Sequence, residues 1–395
     1  MSRRHASLLL HGAKKLDADG VADDFWILVA GDRIAETGTG ESWRSLAAEI
    51  SMLGGGGLEV FDAEGAWITP GFIDLHVHGG GGGSFDEGAE GIRTALAFHR
   101  AHGTTRSAIS LVANPLPTLA ASLGVVASIA EADPLVLGAH LEGPFLAPSR
   151  RGAHDPSALI EPRPEVVAEL IAAARGRLTQ VTLAPELPGA LGAIGAFTAA
   201  GAIVAVGHTD ADLAQTRAAF DRGARLLTHA FNAMRGIHHR DPGPVMAALD
   251  DERIALELIA DGVHVHPSMI ELAFRSAPGR VVLVTDAMAA AGSADGAYRL
   301  GTRDVTVAEG RATLPDGTIA GSTLTQEAAL RGAMAAGVGA QEAVAALTAT
   351  PARVLGRDDE LGYLRRGHLA DLVVLDEGFV VQAVFAAGAR VPSAA

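Results

Sequence analysis

Two histidines separated by a single residue end a short apolar segment early in the chain, PGFIDLHVHG at residues 70–79. In an extended strand, residues two apart face the same side, so the imidazoles of His76 and His78 can bind one ion together. Alone, the pair fits a strand with two hydrogen-bonded histidines equally well. A metal site therefore requires ligands from elsewhere in the sequence.

Other imidazoles and carboxylates recur in the same context, directly after an apolar run. They are Glu142 after residues 135–141, His208 after 202–206, His229 after 225–227 and Asp286 after 281–284. Each could separately cap a turn or a helix. Their recurrence after successive runs favours a shared metal site instead. Since the chain contains no cysteine, its ligands must be nitrogen and oxygen atoms.

These donors divide into two candidate sets. Glu142, His208 and His229 can hold one divalent ion. His76 and His78 can hold a second, linked to the first by Glu142 or by a bridging hydroxide. Three ligands and an open position are typical of a hydrolytic metal, which acidifies water and polarises a carbonyl. Zinc, iron, manganese and cobalt all accept such ligands.

The remaining carboxylate of this series, Asp286, is the candidate acid and base. It can act as general base towards the metal-activated water and then as the acid that protonates the leaving amine. These residues predict a metal-dependent hydrolase that breaks a carbon–nitrogen bond.

The elements that must position these residues alternate between apolar strands and alanine-rich helices. Strands are predicted at residues 72–77, 104–111, 135–141, 178–183, 202–206, 225–227, 254–259 and 281–284. Helices are predicted at residues 91–102, 164–174, 187–200, 211–222 and 267–277. Eight such units favour an α/β fold, a (β/α)8 TIM-like barrel, over an open sheet, and barrel chemistry lies at the carboxyl ends of the strands.

The two ends of the chain have a different pattern, with short strand-like runs separated by turn residues. Neither end is a plausible domain alone, so we expect them to pair as a small β-sandwich domain. This predicts a small domain of residues 1–69 and 360–395 and a hydrolase barrel of residues 70–359. The glycines at 79–83 are a candidate mobile lid, and residues 293–318 are a candidate surface hairpin.

Composition narrows the range of partners. A net charge of −15, without a block rich in lysine or arginine, argues against nucleic acid and anionic membrane surfaces. No apolar run reaches the roughly 18–20 residues that span a bilayer, and we expect a cytoplasmic location. An anionic substrate would require cations placed locally.

Seven ordered segments resemble the N-acetylglucosamine-6-phosphate deacetylase family, of the amidohydrolase superfamily. They are residues 70–79, LEGPFL at 141–146, RGAH at 151–154, VGHT at 206–209, HAFNAM at 229–234, DGVH at 261–264 and VTDAM at 284–288. The resemblance spans nearly the whole chain. It implies hydrolysis of the N-acetyl amide of N-acetylglucosamine 6-phosphate to glucosamine 6-phosphate and acetate.

The same resemblance assigns residues. It implies that Glu142, His208 and His229 are metal ligands and that Asp286 is the catalytic acid and base. It also implies substrate contacts by His154, Asn232, Ala233, Arg240 and His264. In this family the arginine that matches Arg240 reaches the substrate phosphate from the neighbouring subunit, which implies a homodimer.

The number of metal ions is left open by the resemblance, because some members keep the histidine pair of the first strand and others replace it. This chain keeps His76 and His78, so one or two divalent ions per subunit are expected. The phosphate of the implied substrate requires a locally positive pocket, for which Arg240, His264 and Arg151 are the candidates.

Two rival functions stay open at this point. A related amidohydrolase could act on another N-acyl compound, such as an N-acyl amino acid, and a non-catalytic barrel could serve as an assembly protein. Hydantoinase-like, dihydroorotase-like and urease-like amidohydrolases commonly bridge two metals with a carboxylated lysine. Lysine occurs in this chain only at positions 14 and 15, so Glu142 must serve instead.

Overall fold

The computed structural model describes residues 6–52 and 57–393. The chain separates into two compact units. One combines the N-terminal residues up to Ile73 and the C-terminal residues from Val338 with the segment His99–Arg106. The other comprises Asp74–Phe98 and Ser107–Gly337. The domain boundaries drawn from the sequence, 1–69 with 360–395 and 70–359, stay a prediction.

Eight strands in chain order form the barrel sheet, and we call them barrel strands 1–8. They are Phe72–Asp74, Thr104–Val112, Val136–Glu142, Leu178–Leu183, Ile203–Val206, Leu226–Leu227, Ala255–Leu258 and Val281–Leu283. Each strand neighbours the next along the chain, and strands 2–8 pair in parallel. Just past strand 8, the Asp286 N–H donates to the carbonyl oxygen of His76 (2.8 Å), which nearly closes the sheet. The predicted (β/α)8 fold is confirmed.

The barrel strands are continuous apolar runs because both of their faces are covered. All residues of Thr104–Val112 are buried, and so are all residues of Ala255–Leu258. Burial on both faces removes the alternation of polar and apolar residues that marks a surface strand. All eight predicted strands are present, and their ends differ from the prediction by at most three residues.

Eleven α-helices occur among the described residues. They are Trp43–Met52, Ala89–Ala101, Leu116–Ala132, Pro164–Ala173, Ala190–Ala199, Leu213–Arg222, Gly243–Asp250, Pro267–Ser276, Gln326–Ala335, Ala340–Leu347 and Ala349–Val354. The five helices predicted for the barrel are present. Sequence reasoning missed Leu116–Ala132, although it has 17 residues. Its own alanine and branched apolar residues lie on all sides of the helix, so no clear apolar stripe of 3.6-residue period marks it.

A second, strand-rich sheet contains both ends of the chain. Its main path in space is Ala389–Arg390, Val381–Ala386, Leu372–Leu375, Trp67–Pro70, Ala6–Asp17, Gly20–Ala30 and Arg33–Thr39, and Glu59–Asp62 pairs beside Ala6–Asp17. The antiparallel pairing of Leu372–Leu375 with Trp67–Pro70 joins the two ends in one sheet. The prediction of a small β-domain built from both termini is confirmed.

A small antiparallel sheet follows barrel strand 8, and we call it the insertion sheet. Its strands are Gly296–Leu300, Arg303–Ala308 and Arg311–Thr313. Its buried side chains Leu300, Val305 and Val307 cluster with Met288 and Val112 of the barrel unit. The predicted hairpin at residues 293–318 is therefore a three-stranded sheet with one face packed on the barrel.

The glycine run after barrel strand 1 forms a tight hairpin. Gly79–Gly80 pairs with Gly83–Ser84, and the two residues between them have positive φ, as a type I′ turn requires. The Gly79 N–H donates to the carbonyl oxygen of Ala287 (2.9 Å). These glycines serve a turn that is anchored to the segment after barrel strand 8, and the mobile lid stays a prediction.

Two glycines inside helices allow a matched test of the packing. At Gly332, in Gln326–Ala335, an added methyl group would overlap the carbonyl oxygen of Ala260, whereas at Gly124, in Leu116–Ala132, it would meet no atom within 4 Å. We expect Gly124→Ala to raise the free energy of unfolding by roughly 0.5–1 kcal/mol, because alanine favours helices. We expect Gly332→Ala to lower it by about 1–3 kcal/mol through overpacking.

Urea denaturation of the two variants and the parent chain measures both effects. A stabilising Gly332→Ala variant would contradict the close approach of this helix to Ala260.

Candidate active site

Six buried side chains meet at the carboxyl ends of five barrel strands. His76 and His78 follow strand 1, Glu142 ends strand 3, and His208, His229 and Asp286 follow strands 5, 6 and 8. Because parallel strands of a barrel end at the same rim, side chains that are distant in sequence come together there. The structure thus brings together every residue that the sequence analysis assigned to metal binding or acid–base chemistry.

Glu142, His208 and His229 form the first set of possible ligands, which we call the Glu142 group. The Nε2 atoms of His208 and His229 lie 3.0 Å and 3.1 Å from Oε1 of Glu142. They lie 3.0 Å from each other. One carboxylate oxygen and two ring nitrogens therefore converge on one point.

His76, His78 and Asp286 form the second set, which we call the His76 group. The two Nε2 atoms are 3.1 Å apart. Oδ1 of Asp286 lies 3.5 Å from Nε2 of His76 and 3.3 Å from Nε2 of His78. Glu142 contacts this group as well, since its Oε2 is 3.2 Å from Nε2 of His78. The Glu142 carboxylate thus lies between the two groups.

The hydrogen bonds behind these rings test whether the groups suit a metal ion. His208 Nδ1 donates to the carbonyl oxygen of Arg150 (2.8 Å), and His76 Nδ1 donates to Oε2 of Glu257 (3.2 Å). In each neutral ring the remaining lone pair is then on Nε2, which faces another imidazole nitrogen. Lone pairs in such close contact repel unless a cation lies among them. Imidazole and carboxylate donors suit a divalent ion, so both groups fit a metal.

The carboxylates of the site are held in their anionic form. Burial by itself would raise the pKa of Glu142, but the facing His76 and His154 outweigh burial and hold that pKa well below its usual value. Burial likewise opposes ionisation of Asp286, and His76 and His78 again lower its pKa. Anionic oxygens next to imidazoles form a donor set that attracts a cation.

Three residues of these groups have an unusual backbone conformation. His208, His229 and Asp286 have positive φ values of 47°, 25° and 48°. Non-glycine residues in this region cost of order 1–3 kcal/mol each and cluster at functional sites, where the surrounding structure holds them. The backbone turns sharply at these three strand ends, and each turn directs its side chain to the same centre.

A pocket of about 330 Å³ opens above the two groups. His154, Asn232, Ala233 and His264, which the sequence analysis assigned to substrate binding, all line it. The Ala113 N–H donates to Nδ1 of His154 (3.2 Å), so the proton of a neutral His154 is on Nε2, which faces Glu142 at 3.2 Å.

His264 is held on the pocket wall by a carboxylate. Its Nδ1 donates to Oδ2 of Asp261 (2.7 Å). Burial raises the pKa of Asp261, but the bond from His264 outweighs it and lowers that pKa below its ordinary value. The ionised Asp261 therefore fixes the orientation of the His264 ring.

Of the three cations predicted for the pocket, His264 lines it, whereas Arg240 and Arg151 do not. Arg240 is exposed and lies beside a separate surface depression with Asp241, and Arg151 is exposed outside the pocket lining. The lining arginines are Arg150 and Arg303. Sequence reasoning missed Arg303 because its position depends on how the insertion sheet packs, which no local pattern encodes.

Glu257 was also missed. It is fully buried in barrel strand 7, and it contacts His76 across the barrel. A single carboxylate inside the apolar run at residues 254–259 was the available signal, since acidic residues are almost never fully buried without a partner.

Comparison with known proteins agrees with this geometry. A family model described as the amidohydrolase family matches residues 67–391. This chain belongs to the amidohydrolase family. The family is metal-dependent, which accords with the two donor groups of this amidohydrolase.

Individual relatives are similar over most of the amidohydrolase. N-acetylgalactosamine-6-phosphate deacetylase of Escherichia coli O157:H7 is 41% identical, over 84% of this chain and 89% of its own length. N-acetylglucosamine-6-phosphate deacetylase of Caenorhabditis elegans is 37% identical, over 84% of each chain. A solved structure of the Mycobacterium smegmatis N-acetylglucosamine-6-phosphate deacetylase, an aspartate-to-alanine variant in complex with N-acetyl-D-glucosamine 6-phosphate, is 39% identical with a TM-score of 0.90. It covers 97% of this chain and 99% of its own.

Metal content tests the Glu142 group. Loss of a residue that supports a metal ligand typically lowers metal affinity by roughly 10–100-fold. Because His229→Ala removes a ligand itself, we expect a larger loss of metal affinity. His140→Gln is the matched control. His140 is an equally buried barrel histidine whose nitrogens lie 2.9 Å from the Ser110 hydroxyl and 2.8 Å from the Thr182 hydroxyl.

Elemental analysis after dialysis measures bound metal in both variants. Unchanged metal content in His229→Ala, or equal loss in the control, would argue against the Glu142 group as a metal site.

Proposed function

We propose that this amidohydrolase removes the N-acetyl group of N-acetylglucosamine 6-phosphate and releases glucosamine 6-phosphate and acetate. The observation that carries the proposal is the convergence of two donor groups and Asp286 beneath one pocket lined by His154, Asn232 and His264. Relatives at 37–41% identity whose names specify deacetylation of amino-sugar phosphates support it.

The residues of the Glu142 group hold one divalent ion in this proposal, and His76 and His78 hold a second. A bound ion supplies an acidified water and a polarised amide carbonyl. Zinc, iron, manganese or cobalt would each suit these ligands.

Asp286 moves the proton that the reaction requires. Its carboxylate takes a proton from the attacking water and then delivers it to the nitrogen of the breaking amide bond, so that acetate and a free amine leave. The low pKa of Asp286 leaves it ionised at rest, which is the form that a base needs. His154 lines the same pocket with its Nε2–H directed at Glu142, and it is proposed to contact the substrate there.

The sugar and its phosphate are held by the upper part of the pocket. Asn232 and Ala233 contact the sugar, and His264, fixed by Asp261, presents its other nitrogen to the substrate. Arg240 is exposed and does not line the pocket of its own chain, and it is proposed to reach the phosphate of a partner subunit in a homodimer.

Arg303 is a second proposed contact for the phosphate. Arg150 also lines the pocket, but it is bound to Asp210, with 3.0 Å between Nε and Oδ1. Among the described residues no carboxylate forms an ion pair with Arg303, and Asp155 and Asp316 interact with its charge only at longer range. Its guanidinium is therefore available to an anionic substrate.

N-acetylgalactosamine 6-phosphate is the second candidate substrate, because a relative with that named specificity is 41% identical to this chain. The two sugars differ only in the configuration of one ring hydroxyl. An N-acyl amino acid substrate and a non-catalytic role have weaker support, since the names of both relatives above specify deacetylation of a sugar phosphate.

Among the described residues, no helix is long and apolar enough to cross a membrane. A cytoplasmic location remains a prediction from the sequence.

Acetate release from both sugar phosphates and from an N-acetyl amino acid, with and without a chelator, tests the proposal. Chelator-sensitive release from N-acetylglucosamine 6-phosphate at the highest kcat/KM is expected. A higher kcat/KM for either of the other two compounds would make that compound the substrate instead. No acetate release from metal-loaded protein would favour a non-catalytic role.

Removing the proposed base should stop turnover while leaving the fold intact. We expect Asp286→Asn to lower kcat by roughly 10²–10⁴-fold, because an amide cannot carry the proton. Asp86→Asn, at a half-buried carboxylate outside both donor groups, should retain kcat. Steady-state kinetics measures this, and metal analysis should find the Glu142-group ion still present. Near-normal turnover of Asp286→Asn would exclude its role.

Removing the proposed phosphate contact should affect binding more than chemistry. Arg303→Ala should raise KM for the phosphorylated sugar by roughly 10–100-fold with little change in kcat, since a charge-assisted hydrogen bond contributes about 1.5–3 kcal/mol. Arg311→Ala, at an exposed residue of the same sheet, is the control. KM for unphosphorylated N-acetylglucosamine should be the same in all three proteins, and an equal rise for both sugars would argue against a phosphate contact.

A further inference from the structure

Glu257 is a buried carboxylate that the proposed reaction does not use. It lies in barrel strand 7, and none of its surface is exposed. Three groups face its two oxygens. Gln180 Nε2 donates to Oε1 (2.8 Å), while His76 Nδ1 (3.2 Å) and the backbone N–H of His229 (3.3 Å) donate to Oε2. A buried charge is costly unless it is paired in this way.

The bond to His76 has a consequence on the other side of the ring. With the Nδ1–H directed at Glu257, the free lone pair of His76 is on Nε2, which points to His78 (3.1 Å) and Asp286 (3.5 Å). A carboxylate behind a ligating histidine fixes its tautomer and orientation and raises its basicity. His78 has no such support, because its Nδ1 has no hydrogen-bond partner among the described residues.

The Glu142 group is oriented by a different and neutral partner. His208 Nδ1 donates to the backbone carbonyl oxygen of Arg150 (2.8 Å). The His76 and His208 rings therefore have separate orienting partners, and only His76 has a full negative charge behind its ring.

Charge balance also indicates that Glu257 assists metal binding at the His76 group. Glu142 and Asp286 supply two negative charges to the two donor groups, whereas two divalent ions bring four positive charges into a buried space. Glu257 adds a third negative charge directly behind His76. A second ion next to a first is favoured by such a charge, because electrostatic interactions are weakly screened away from water.

We infer that Glu257 is a positioning residue that orients His76 for a second metal ion and thereby determines whether the His76 group binds one. Glu257 touches neither substrate nor ion and acts through His76. The inference rests on the proposed function only in taking the two donor groups as metal sites.

A purely structural role for Glu257 predicts a different result. Glu257 also accepts the backbone N–H of His229, whose φ is 25°. If support of that backbone were its main role, loss of Glu257 would weaken the Glu142 group, to which His229 belongs. If Glu257 positions His76, loss of Glu257 removes the ion of the His76 group and spares the other.

The test is a Zn²⁺ titration of metal-stripped protein by calorimetry, with elemental analysis after dialysis. The parent chain should bind two ions. Glu257→Leu should bind one ion with parental affinity. Its affinity for the second ion should fall by at least roughly 10–100-fold. Glu257→Gln, which keeps the shape and one acceptor oxygen, should fall between them.

A double variant assigns the lost ion to its site. Because Glu257 acts through His76, the titration of His76→Ala with Glu257→Leu should match that of His76→Ala alone, whereas independent effects would add. Urea denaturation of the metal-stripped variants checks that they fold. If Glu257→Leu does not fold, Glu257→Gln provides the same comparison.

Three results would overturn the inference: two ions bound with parental affinity in Glu257→Leu, loss of the Glu142-group ion from the Glu257 variants, or a single ion in the parent chain. Acetate release is measured separately on the parent chain. A parent that binds two ions but releases no acetate would refute the proposed function and leave the inference intact.

Discussion

The site depends on the position of one carboxylate among five imidazoles. Oxygens of Glu142 lie between 3.0 Å and 3.4 Å from the Nε2 atoms of His208, His229, His78, His154 and His76. Imidazole nitrogens and carboxylate oxygens that face one another at such close range, away from water, form a donor set that favours a cation. Glu142 joins the two groups of this set because it ends barrel strand 3 and projects to the centre of the rim. Both donor groups therefore share one anion.

Support for this arrangement comes from the layer below it in the barrel. His140, two residues before Glu142 on the same face of strand 3, lies between the hydroxyls of Ser110 and Thr182. The Thr182 hydroxyl in turn lies 2.8 Å from that of Thr228. Burial lowers the pKa of His140 well below its ordinary value, so this ring is neutral. A neutral hydrogen-bonded layer beneath a charged one restrains the side chains above it without adding to their charge.

The parts that could be predicted from the sequence are those fixed by local pattern. Runs buried on both faces marked the barrel strands, and the ligating residues followed those runs directly, as at Glu142 and Asp286. The helix Leu116–Ala132 lacks an amphipathic stripe and could not be recognised by period. Glu257 and Arg303 depend on contacts across the barrel and on the packing of the insertion sheet. Their contact partners follow from tertiary placement, which spacing does not encode, although a carboxylate inside an apolar run was a signal for Glu257.

The seam of the barrel, where the segment after strand 8 meets strand 1, has a consequence for folding. Here the His78 and Gly79 N–H groups donate to the Ala287 carbonyl oxygen, and the Thr285 hydroxyl donates to Asp74 (2.6 Å) across 211 positions of sequence. Contacts between residues so distant in sequence form late in folding, because a long loop must close before they contribute. The His76 group takes its ligands from both sides of this seam. An ion bound there would join the first and last strands of the barrel, so metal supply would affect how the chain completes its fold as well as what the finished protein does.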